Sequence, residues 1–312
     1  MRLIRRRRLG AAMLTLATGV VLAACGSSSS KSTSSTTGAA GQGKPAVTIG
    51  DKNFPEELIL GQLYAQALRA KGYKVTLKEN IGASEVTDKA LTSGQIDMYP
   101  EYTGTILSVL AHQTKAPTSA ADAYTQAETF EQGRGFTLLE RTPFTDSDAL
   151  GVLASYAQAH SLKSIADLKP LGKKVTLVGA PEFATRTEGL VGLRQVYGIN
   201  PTFKPIAIGL TYTALDSGNA NAGDVFTTDP QLAGGKYTLL ADPKFVFGFQ
   251  NVAPVVSRKV LAREGSGFEQ AINAVSGKLT TEAVQKMNAA VSLDKQSPAT
   301  VAQKFLAANG LA

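Results

Sequence analysis

The chain alternates between the two hydrophobic periods that distinguish strands from helices. Residues 47–50 form a short apolar run that is typical of a buried strand. Pro55 then opens a stretch in which Ile59 and Leu63 recur at helical spacing, with acidic residues in the first turn. Residues 73–77 alternate between polar and apolar side chains. This order predicts a strand, a helix and a second strand.

The same order continues toward the middle of the chain. Ser84 is placed to cap a helix over residues 85–91, a third strand is predicted over 95–99, and another helix is expected to begin near Thr103. Strands and helices that alternate at this spacing are typical of right-handed βαβ units. The pattern therefore predicts a parallel sheet in this part of the chain.

The second half repeats the alternation and ends in helices. Strands are predicted over residues 149–154, 174–179 and 224–228, helical segments over 164–168, 186–197 and 212–215, and final helices near 267–276, 281–291 and 298–308. This predicts an α/β protein of two lobes. The chain would cross between them near residues 148–153 and 251–256, and the final helices would return to the first lobe. Two separate sequential domains fit the same periodicity.

The N-terminus has the pattern of an export signal. Arginines at the start precede an apolar stretch over residues 9–21, which leads through Leu-Ala-Ala to Cys25, the only cysteine. A thiol in this place predicts a lipoprotein signal peptide over residues 1–24 and acylation of Cys25. An ordinary secreted protein with a chance cysteine and an uncleaved membrane anchor are the alternatives, although the apolar stretch is short for a bilayer.

Composition and charge narrow the possible partners. Residues 25–45 are rich in Ser, Thr and Gly and are predicted to form a flexible tether. The formal net charge is +7, but loss of the signal removes five of 32 basic residues and none of 25 acidic residues, which leaves +2. We find no basic patch that would indicate a nucleic-acid partner. After residue 25, no apolar stretch reaches the roughly 18 residues of a membrane helix.

Residues that would indicate catalysis or a metal are sparse. The two histidines, His112 and His160, are too few and too far apart for a convincing metal site or nucleophilic triad. The chain has no G-x-S-x-G, P-loop or H-E-x-x-H motif. We therefore expect no metal, no cofactor and a binding protein rather than an enzyme. The alternative is an exported two-lobe hydrolase that acts on a small cationic metabolite with Asp146 and Asp148.

Chemically distinctive side chains cluster where predicted strands end and helices begin, which is where open α/β sheets bind ligands. Lys52 precedes the Pro55 helix, whose free N–H groups favour an anion. The other candidates at such junctions are Tyr102, Thr105, Asp146, Asp148, Glu182, Phe183, Arg186, Phe226, Thr227 and Thr228. Structural explanations compete: core packing for the aromatic residues, a solvated surface for Lys52, turns for the aspartates and an ion pair within its own helix for Arg186.

Several of these segments together resemble one protein family. They are Lys52-Asn53-Phe54, Gly94-Gln95-Ile96-Asp97-Met98-Tyr99, Glu101-Tyr102-Thr103-Gly104-Thr105, Glu182-Phe183 with Arg186, and Thr227-Thr228-Asp229-Pro230. From about residue 47 to residue 311, the chain resembles the substrate-binding proteins of osmoprotectant ABC importers. These are the glycine betaine, carnitine and choline receptors of the ProX and OpuAC-like type. The Glu-Tyr-Thr-Gly-Thr motif is quite specific, whereas Lys-Asn-Phe alone would be weak.

The resemblance implies a fold, a function and partners. The fold would be a two-lobe, type II periplasmic-binding-protein-like α/β fold, with lobe 1 over residues 46–148 and 252–312 and lobe 2 over residues 149–251. A ligand cleft would lie between the lobes. The protein would deliver a quaternary-ammonium or betaine-type osmoprotectant to an ABC permease with a cytoplasmic ATPase. It would be a monomer, lipid-anchored on the extracytoplasmic side of the cell membrane. A sensory or permease-fused solute module is a second alternative, although a fused permease is not expected because the chain ends at Ala312.

The resemblance also implies roles for individual residues. A trimethylammonium group has no N–H donor, so the negative faces of aromatic rings hold it, while a betaine carboxylate needs a cation and donors. Tyr102, Tyr212 and Phe226 would form cage walls, Lys52, Thr105 and Arg186 the carboxylate end, and Asp146 a polar position beside the cage. Asp148 stands where a cage tyrosine is expected, and Phe226 where a tyrosine is common. Choline, carnitine, another betaine or a different cationic metabolite remain open.

Overall fold

The computed structural model of the protein describes residues 39–312. The predicted signal peptide, Cys25 and most of the predicted tether lie outside the described residues. Within residues 39–312, each helix is too short or too polar to cross a membrane. The same residues contain no group of three or more His, Cys, Asp or Glu side chains arranged to hold a metal ion.

Ten strands in the described part of the chain form two five-stranded sheets. They are β1 Val47–Gly50, β2 Val75–Lys78, β3 Met98–Tyr102, β4 Phe136–Leu138, β5 Asp148–Leu153, β6 Thr176–Gly179, β7 Thr202–Pro205, β8 Ala222–Phe226, β9 Tyr237–Leu239 and β10 Val252–Ser257. The first sheet has the order β2-β1-β3-β10-β4 and the second the order β7-β6-β8-β5-β9. The two sheets therefore share one topology, and the predicted two-lobe α/β architecture is present.

Each sheet is mixed, so the prediction of a parallel sheet was only partly right. Strands β1, β2 and β3 are parallel, as are β6, β7 and β8. Strand β10 runs antiparallel to β3, and β5 runs antiparallel to β8. The parallel strands end at the edge that faces the other lobe. A strand that arrives from the other lobe starts at that edge, and it must run in the opposite direction.

Helices connect the strands and close the chain. They are α1 Pro55–Ala70, α2 Ser84–Thr92, α3 Thr103–Thr105, α4 Ala120–Gly133, α5 Ala154–Ala159, α6 Leu190–Gly192, α7 Thr211–Asp216, α8 Arg258–Glu264, α9 Ser266–Ser276, α10 Thr281–Ser292 and α11 Pro298–Ala308. Wider π turns over Ile106–Leu110 and Leu193–Tyr197 extend α3 and α6. Tighter 3-10 turns cover Ile165–Lys174, Pro181–Ala184 and Pro230–Gly234.

Several helix starts follow from local sequence. Pro55 occupies the first turn of α1, where its missing N–H costs no hydrogen bond. The side chains of Ser119, Thr280 and Ser297 cap α4, α10 and α11 by accepting backbone N–H groups. The predicted cap at Ser84 was wrong, because Ala83 is the capping position and Ser84 lies inside α2.

Two other predicted boundaries near the cleft also shift. The third strand begins at Met98 rather than residue 95, which makes Tyr102 its last residue instead of a residue beyond it. The helix expected from Arg186 begins only at Leu190, so Arg186 lies in the preceding connection. The first shift places Tyr102 at the end of its strand and the second places Arg186 in a loop, and both residues line the cleft.

A separate apolar core supports each sheet. In the first, Val47 and Ile49 of β1 pack with Leu63 of α1 and with Val301 and Leu306 of α11. The final helices therefore cover the first sheet. The second core is built from residues of β5, β6, β8 and α6: Leu150, Leu177, Ala222 and Leu190. The lobe boundaries at residues 148/149 and 251/252 stay a prediction, and Asp148 is already paired with Phe226 in the second sheet.

Candidate functional site

Two adjoining cavities lie where the ends of the two sheets face each other. The first encloses about 60 Å³, and the second about 270 Å³. Phe54, Asp146, Asp224 and Phe226 line both of them. All of the predicted ligand-binding residues except Tyr212 line the first cavity, namely Lys52, Tyr102, Thr105, Asp146, Arg186 and Phe226. Tyr212 lines the second cavity.

Three aromatic rings form a continuous stack from one lobe to the other. Tyr102 is the last residue of β3, and Phe226 is the last residue of β8. Phe54, at the position before α1, stacks on both, with ring centroids 6.2 Å from Tyr102 and 5.7 Å from Phe226. Ring faces are negative and attract cations. Phe54 was not predicted as a site residue, although its place between Lys52 and Pro55 was a usable signal.

Lys52 is buried on the first-lobe side of this stack and its charge is already paired. Its Nζ donates to Glu101, lies 3.7 Å from Glu57 Oε1 and sits 4.3 Å from the centre of the Tyr102 ring. Burial raises the pKa of Glu57 well above its ordinary value, against the opposing charge of Lys52. A surface lysine is thus ruled out. The ammonium group belongs to a buried polar cluster on one face of the aromatic stack.

Arg186 joins the two lobes through an ion pair. Its Nη2 lies 2.8 Å from Oε2 of Glu85, in the first turn of α2, and its Nε donates to Oε1 over 3.3 Å. This two-point geometry matches a guanidinium to a carboxylate. The side chain of Arg186 keeps 20% of its surface exposed and that of Glu85 keeps 48%. The partner is therefore a residue of the opposite lobe, and neither Glu182 nor Glu188.

The remaining predicted residues have fixed partners as well. The Thr105 amide and hydroxyl both donate to Oε1 of Gln250, at 3.1 Å and 3.4 Å. Asp146 accepts the backbone N–H of Thr228 at 3.0 Å and the hydroxyl of Thr227 at 3.2 Å. Burial, followed by the charges of Glu56 and Asp229, raises the pKa of Asp146 well above its ordinary value. Asp146 thus ties the end of β8 to the connection before β5.

Tyr212 lies apart from the three-ring stack. Its hydroxyl donates to Oδ2 of Asp229 over 2.9 Å, and its ring packs edge-on against Tyr237 with centroids 4.8 Å apart. Burial and the neighbouring Asp229 raise its pKa. The structure therefore places this predicted cage wall in the second cavity and supplies Phe54 next to the other two rings.

A buried carboxylate behind the stack was missed entirely. Glu56, the second residue of α1, accepts hydrogen bonds from the Tyr102 hydroxyl at 2.7 Å, the Thr228 hydroxyl at 2.7 Å and the Asn288 amide at 2.8 Å. These donors come from β3, the segment after β8 and α10. Burial raises the pKa of Glu56, and the three hydrogen bonds oppose the rise. Only the tertiary structure brings these segments together, so the sequence carried no signal for this role.

The sequence is similar to a protein family and to individual binding proteins. A family described as the substrate binding domain of ABC-type glycine betaine transport system matches residues 45–308. The "Glycine-betaine-binding protein" of Pseudomonas aeruginosa is 33% identical over 270 residues, which cover 83% of this chain and 86% of that protein. The "Glycine betaine-binding protein YehZ" of Escherichia coli K12 is 26% identical over 282 residues, covering 86% of this chain and 92% of that protein.

A solved structure shares the fold. It is described as the crystal structure of a glycine betaine/carnitine/choline ABC transporter and superposes with a TM-score of 0.69 at 24% identity. The match covers 86% of this chain and 99% of that chain. At this identity the likeness speaks for the fold alone. It confirms the predicted two-lobe architecture.

Proposed function

The chain belongs to the family of substrate-binding domains of ABC-type glycine betaine transport systems, and from this premise we propose that it captures a methylated cation in the first cavity. As a member of this family it is an extracytoplasmic substrate-binding protein of an ABC importer. The relatives are named as binding proteins, so they give no support to the hydrolase alternative. The ligand class we propose is a quaternary-ammonium or betaine-type osmoprotectant.

The stack of Tyr102, Phe54 and Phe226 carries this proposal. A trimethylammonium group cannot donate a hydrogen bond, so ring faces are the protein groups best able to replace its water. Each desolvated contact of this kind is worth on the order of 1–2 kcal/mol. Acidic side chains surround the rings in the first cavity, including Asp146, Asp148 and Asp224. Rings and acids together favour a cation over a neutral or anionic solute.

The origin of the rings explains why binding would close the cleft. Tyr102 and Phe54 belong to the first lobe and Phe226 to the second. A cation that contacts rings of both lobes binds the closed arrangement more tightly than the open one, because opening removes one set of contacts. Glu85 and Arg186 add an ion pair to the same closed form. We propose that the importer recognises this closed form.

Calorimetric titration of the purified protein tests the proposed function. We expect saturable binding of at least one ligand among choline, glycine betaine and carnitine, with the ligand recovered unchanged. A matched titration with proline, which lacks a methylated cation, should show no comparable binding. Failure of all three methylated cations to bind, or conversion of a ligand to a product, would refute the proposal.

We also propose a lipid anchor at Cys25 and a monomeric receptor that delivers its ligand to a permease with a cytoplasmic ATPase. The arginine-rich start, the short apolar stretch and Leu-Ala-Ala before Cys25 support the anchor. Cys25→Ser should move the protein from the membrane fraction to the soluble fraction of cells. Retention of the variant in the membrane fraction would contradict the anchor and leave the ligand proposal intact.

A further inference from the structure

The cations that line the first cavity have ion-pair partners, whereas most of its acidic side chains have none in the described part of the chain. The two cations that line it, Lys52 and Arg186, each already have a carboxylate partner within the protein. Five acidic side chains line the same cavity, namely Asp146, Asp148, Glu182, Glu188 and Asp224. A ligand carboxylate would therefore have to displace a glutamate to reach a cation, and the rest of the charged lining would offer it acidic side chains.

Two of these acids form a pair on the second lobe, beside the ring of Phe226. Asp148 lies directly opposite Phe226 in the pairing of β5 with β8, and Asp224 lies two residues before Phe226. Side chains two residues apart on a strand share a face, as do directly opposed residues. The two carboxyl groups and the ring therefore face the cleft from one side of the second sheet. The carboxyl groups lie within hydrogen-bonding reach of each other.

Outside the pair, neither carboxyl group has a donor among residues 39–312. Asp148 and Asp224 share one proton in the hydrogen bond between them, so the pair carries one negative charge, and Asp224 is only 7% exposed. Its Oδ1 is buried without a partner. Burial raises the pKa of both groups, and the charge of Asp148 raises that of Asp224 further. Arg186 and Lys52 act on the pair from a distance, without forming an ion pair with either member.

The second sheet leaves space for this pair. Gly179, the last residue of β6, lies beside Asp224, and a Cβ atom at this position would come within 2.9 Å of the Asp224 Cβ and 3.5 Å of its Oδ2. Any other residue at position 179 would push the Asp224 side chain from its place. Phe183 closes the same corner, since its ring also comes within 3.5 Å of that Cβ position. Asp224 thus occupies a fitted position that also borders the second cavity.

We infer that the Asp148–Asp224 pair is a hydrogen-bond-accepting subsite that makes the cleft select a methylated cation bearing a hydroxyl or N–H donor over a zwitterion ending in a carboxylate. The inference rests on the proposed function and narrows its ligand class. The methylated cation would lie against the rings, and its donor, a short alkyl chain away, would reach the carboxyl pair. A charged acceptor strengthens such a hydrogen bond.

A zwitterion fails at the same point for two reasons. Its carboxylate has no donor to offer the pair, and it meets like charge at short range in a partly dry cavity, where charges are poorly screened. Rejection of an analogue that leaves buried polar groups unpaired is generally strong. The pair therefore disfavours a zwitterion both because the ligand lacks a hydrogen-bond donor and because it carries a carboxylate.

Three trimethylammonium ligands of similar size separate the effect of a hydrogen-bond donor from the effect of a negative charge. Choline carries the cation and a hydroxyl, n-propyltrimethylammonium replaces the hydroxyl with a methyl group, and glycine betaine replaces the terminal CH2OH group with a carboxylate. Calorimetry on the full chain should give choline at least tenfold tighter binding than either analogue. In Asp224→Asn, choline should lose at least tenfold in affinity, n-propyltrimethylammonium less, and glycine betaine none. Asp148→Asn should move the three affinities in the same order.

Asp216→Asn is the matched control, because it removes an acidic side chain from the second lobe where Asp216 pairs with Lys236 at the surface. It should leave the order of the three ligands unchanged. Thermal unfolding without ligand checks that Asp224→Asn folds, and Asp148→Asn decides the question if it does not. Glycine betaine binding as tightly as choline in the unaltered protein, or equal losses for all three ligands in both variants, overturns the inference alone. No binding of any of the three defeats the proposed function and this inference with it.

Discussion

The two lobes offer the cleft an aromatic ring at equivalent places but surround it with opposite charge arrangements. Tyr102 ends β3 and Phe226 ends β8, and each strand is the middle one of its five-stranded sheet. Beside Tyr102, Glu101 is paired with the buried Lys52. Beside Phe226, Asp224 has no ion-pair partner among the described residues, and its carboxyl group bonds only with that of Asp148. Sheet topology thus determines where a ring is presented, while neighbouring loops determine whether the charge beside it is satisfied.

The connections after β1 and β6 account for this difference. The first places Lys52 directly behind the strand, where its ammonium group reaches Glu101 and Glu57 of its own lobe. The second runs through the turn Pro181–Ala184, and its cation, Arg186, reaches Glu85 of the opposite lobe. The charge of Lys52 is therefore paired within its own lobe, whereas Asp148 and Asp224 of the second lobe form no ion pair among the described residues and remain available to a ligand.

The largest expected effect is loss of the first-lobe ion pair. Lys52→Met leaves Glu101 and Glu57 buried without a cation, so we expect the free energy of unfolding to fall by about 3–5 kcal/mol. Urea unfolding followed by circular dichroism measures it. Lys204→Met, at an exposed position on β7, is the control and should change little. If the free energy of unfolding changed by a similarly small amount in both variants, the ion pairs of Lys52 with Glu101 and Glu57 would not stabilise the first lobe.

The next largest effect is the pH dependence of stability that a buried acid of the first lobe causes. Burial raises the pKa of Asp51 to about 7 in the first lobe. The unfolded chain releases this proton near pH 4, so between about pH 4 and pH 7 the folded state holds more protons and its stability falls as the pH rises. Asp51→Asn should therefore gain stability relative to the unaltered protein over this range, by about 1–3 kcal/mol.

Asp167 of the second lobe gives the opposite sign. Backbone hydrogen bonds from Lys163 and Ser164 lower its pKa, so its stabilising effect is present above the unfolded pKa and is lost as the pH falls through the folded pKa. Asp167→Asn should lose stability at neutral pH and approach the unaltered protein in acid. Thermal unfolding at a series of pH values compares both variants. Parallel pH profiles for the two would contradict the assignments.

Ligand affinity tests whether the equivalent rings contribute equally. Tyr102→Leu and Phe226→Leu should each weaken choline binding roughly tenfold, since each removes one cation–ring contact. Tyr102→Phe keeps the ring and removes only the hydrogen bond to Glu56, so it separates the two effects. Tyr156→Leu, whose ring lines neither cavity, is the control. Isothermal titration that finds a loss in only one lobe would restrict the cage to that lobe.

The smallest expected effect concerns the ion pair between the lobes. Arg186→Met removes a partly exposed pair with Glu85, and such pairs contribute less than about 1 kcal/mol to stability. Lys236→Met breaks the exposed pair with Asp216 and should behave alike in urea unfolding. If Arg186→Met lowered the free energy of unfolding as much as Lys52→Met, the ion pair of Arg186 would contribute as much to stability as the buried ion pair of Lys52.

Much of the fold could be predicted because its signals are local. Periodicity and helix-start residues located α1, β6 and the final helices to within a few residues. The direction of β5 and β10 could not be predicted, since it depends on which lobe the chain arrives from. The candidate residues at strand ends lie close together because the ends of the parallel strands meet at one edge of each sheet. Tyr212 lines the neighbouring second cavity.

The sequence by itself determined that aromatic and charged side chains stand at strand ends, because a strand's length and its flanking residues are written in neighbouring positions. Only the tertiary structure decided which charges find partners. Lys52 meets Glu101 from 49 residues away, Arg186 meets Glu85 from 101 residues away, and Glu56 meets Asn288 from 232 residues away. Ion pairing depends on distance in space and on exclusion of water, and neither has a period that can be read along the chain.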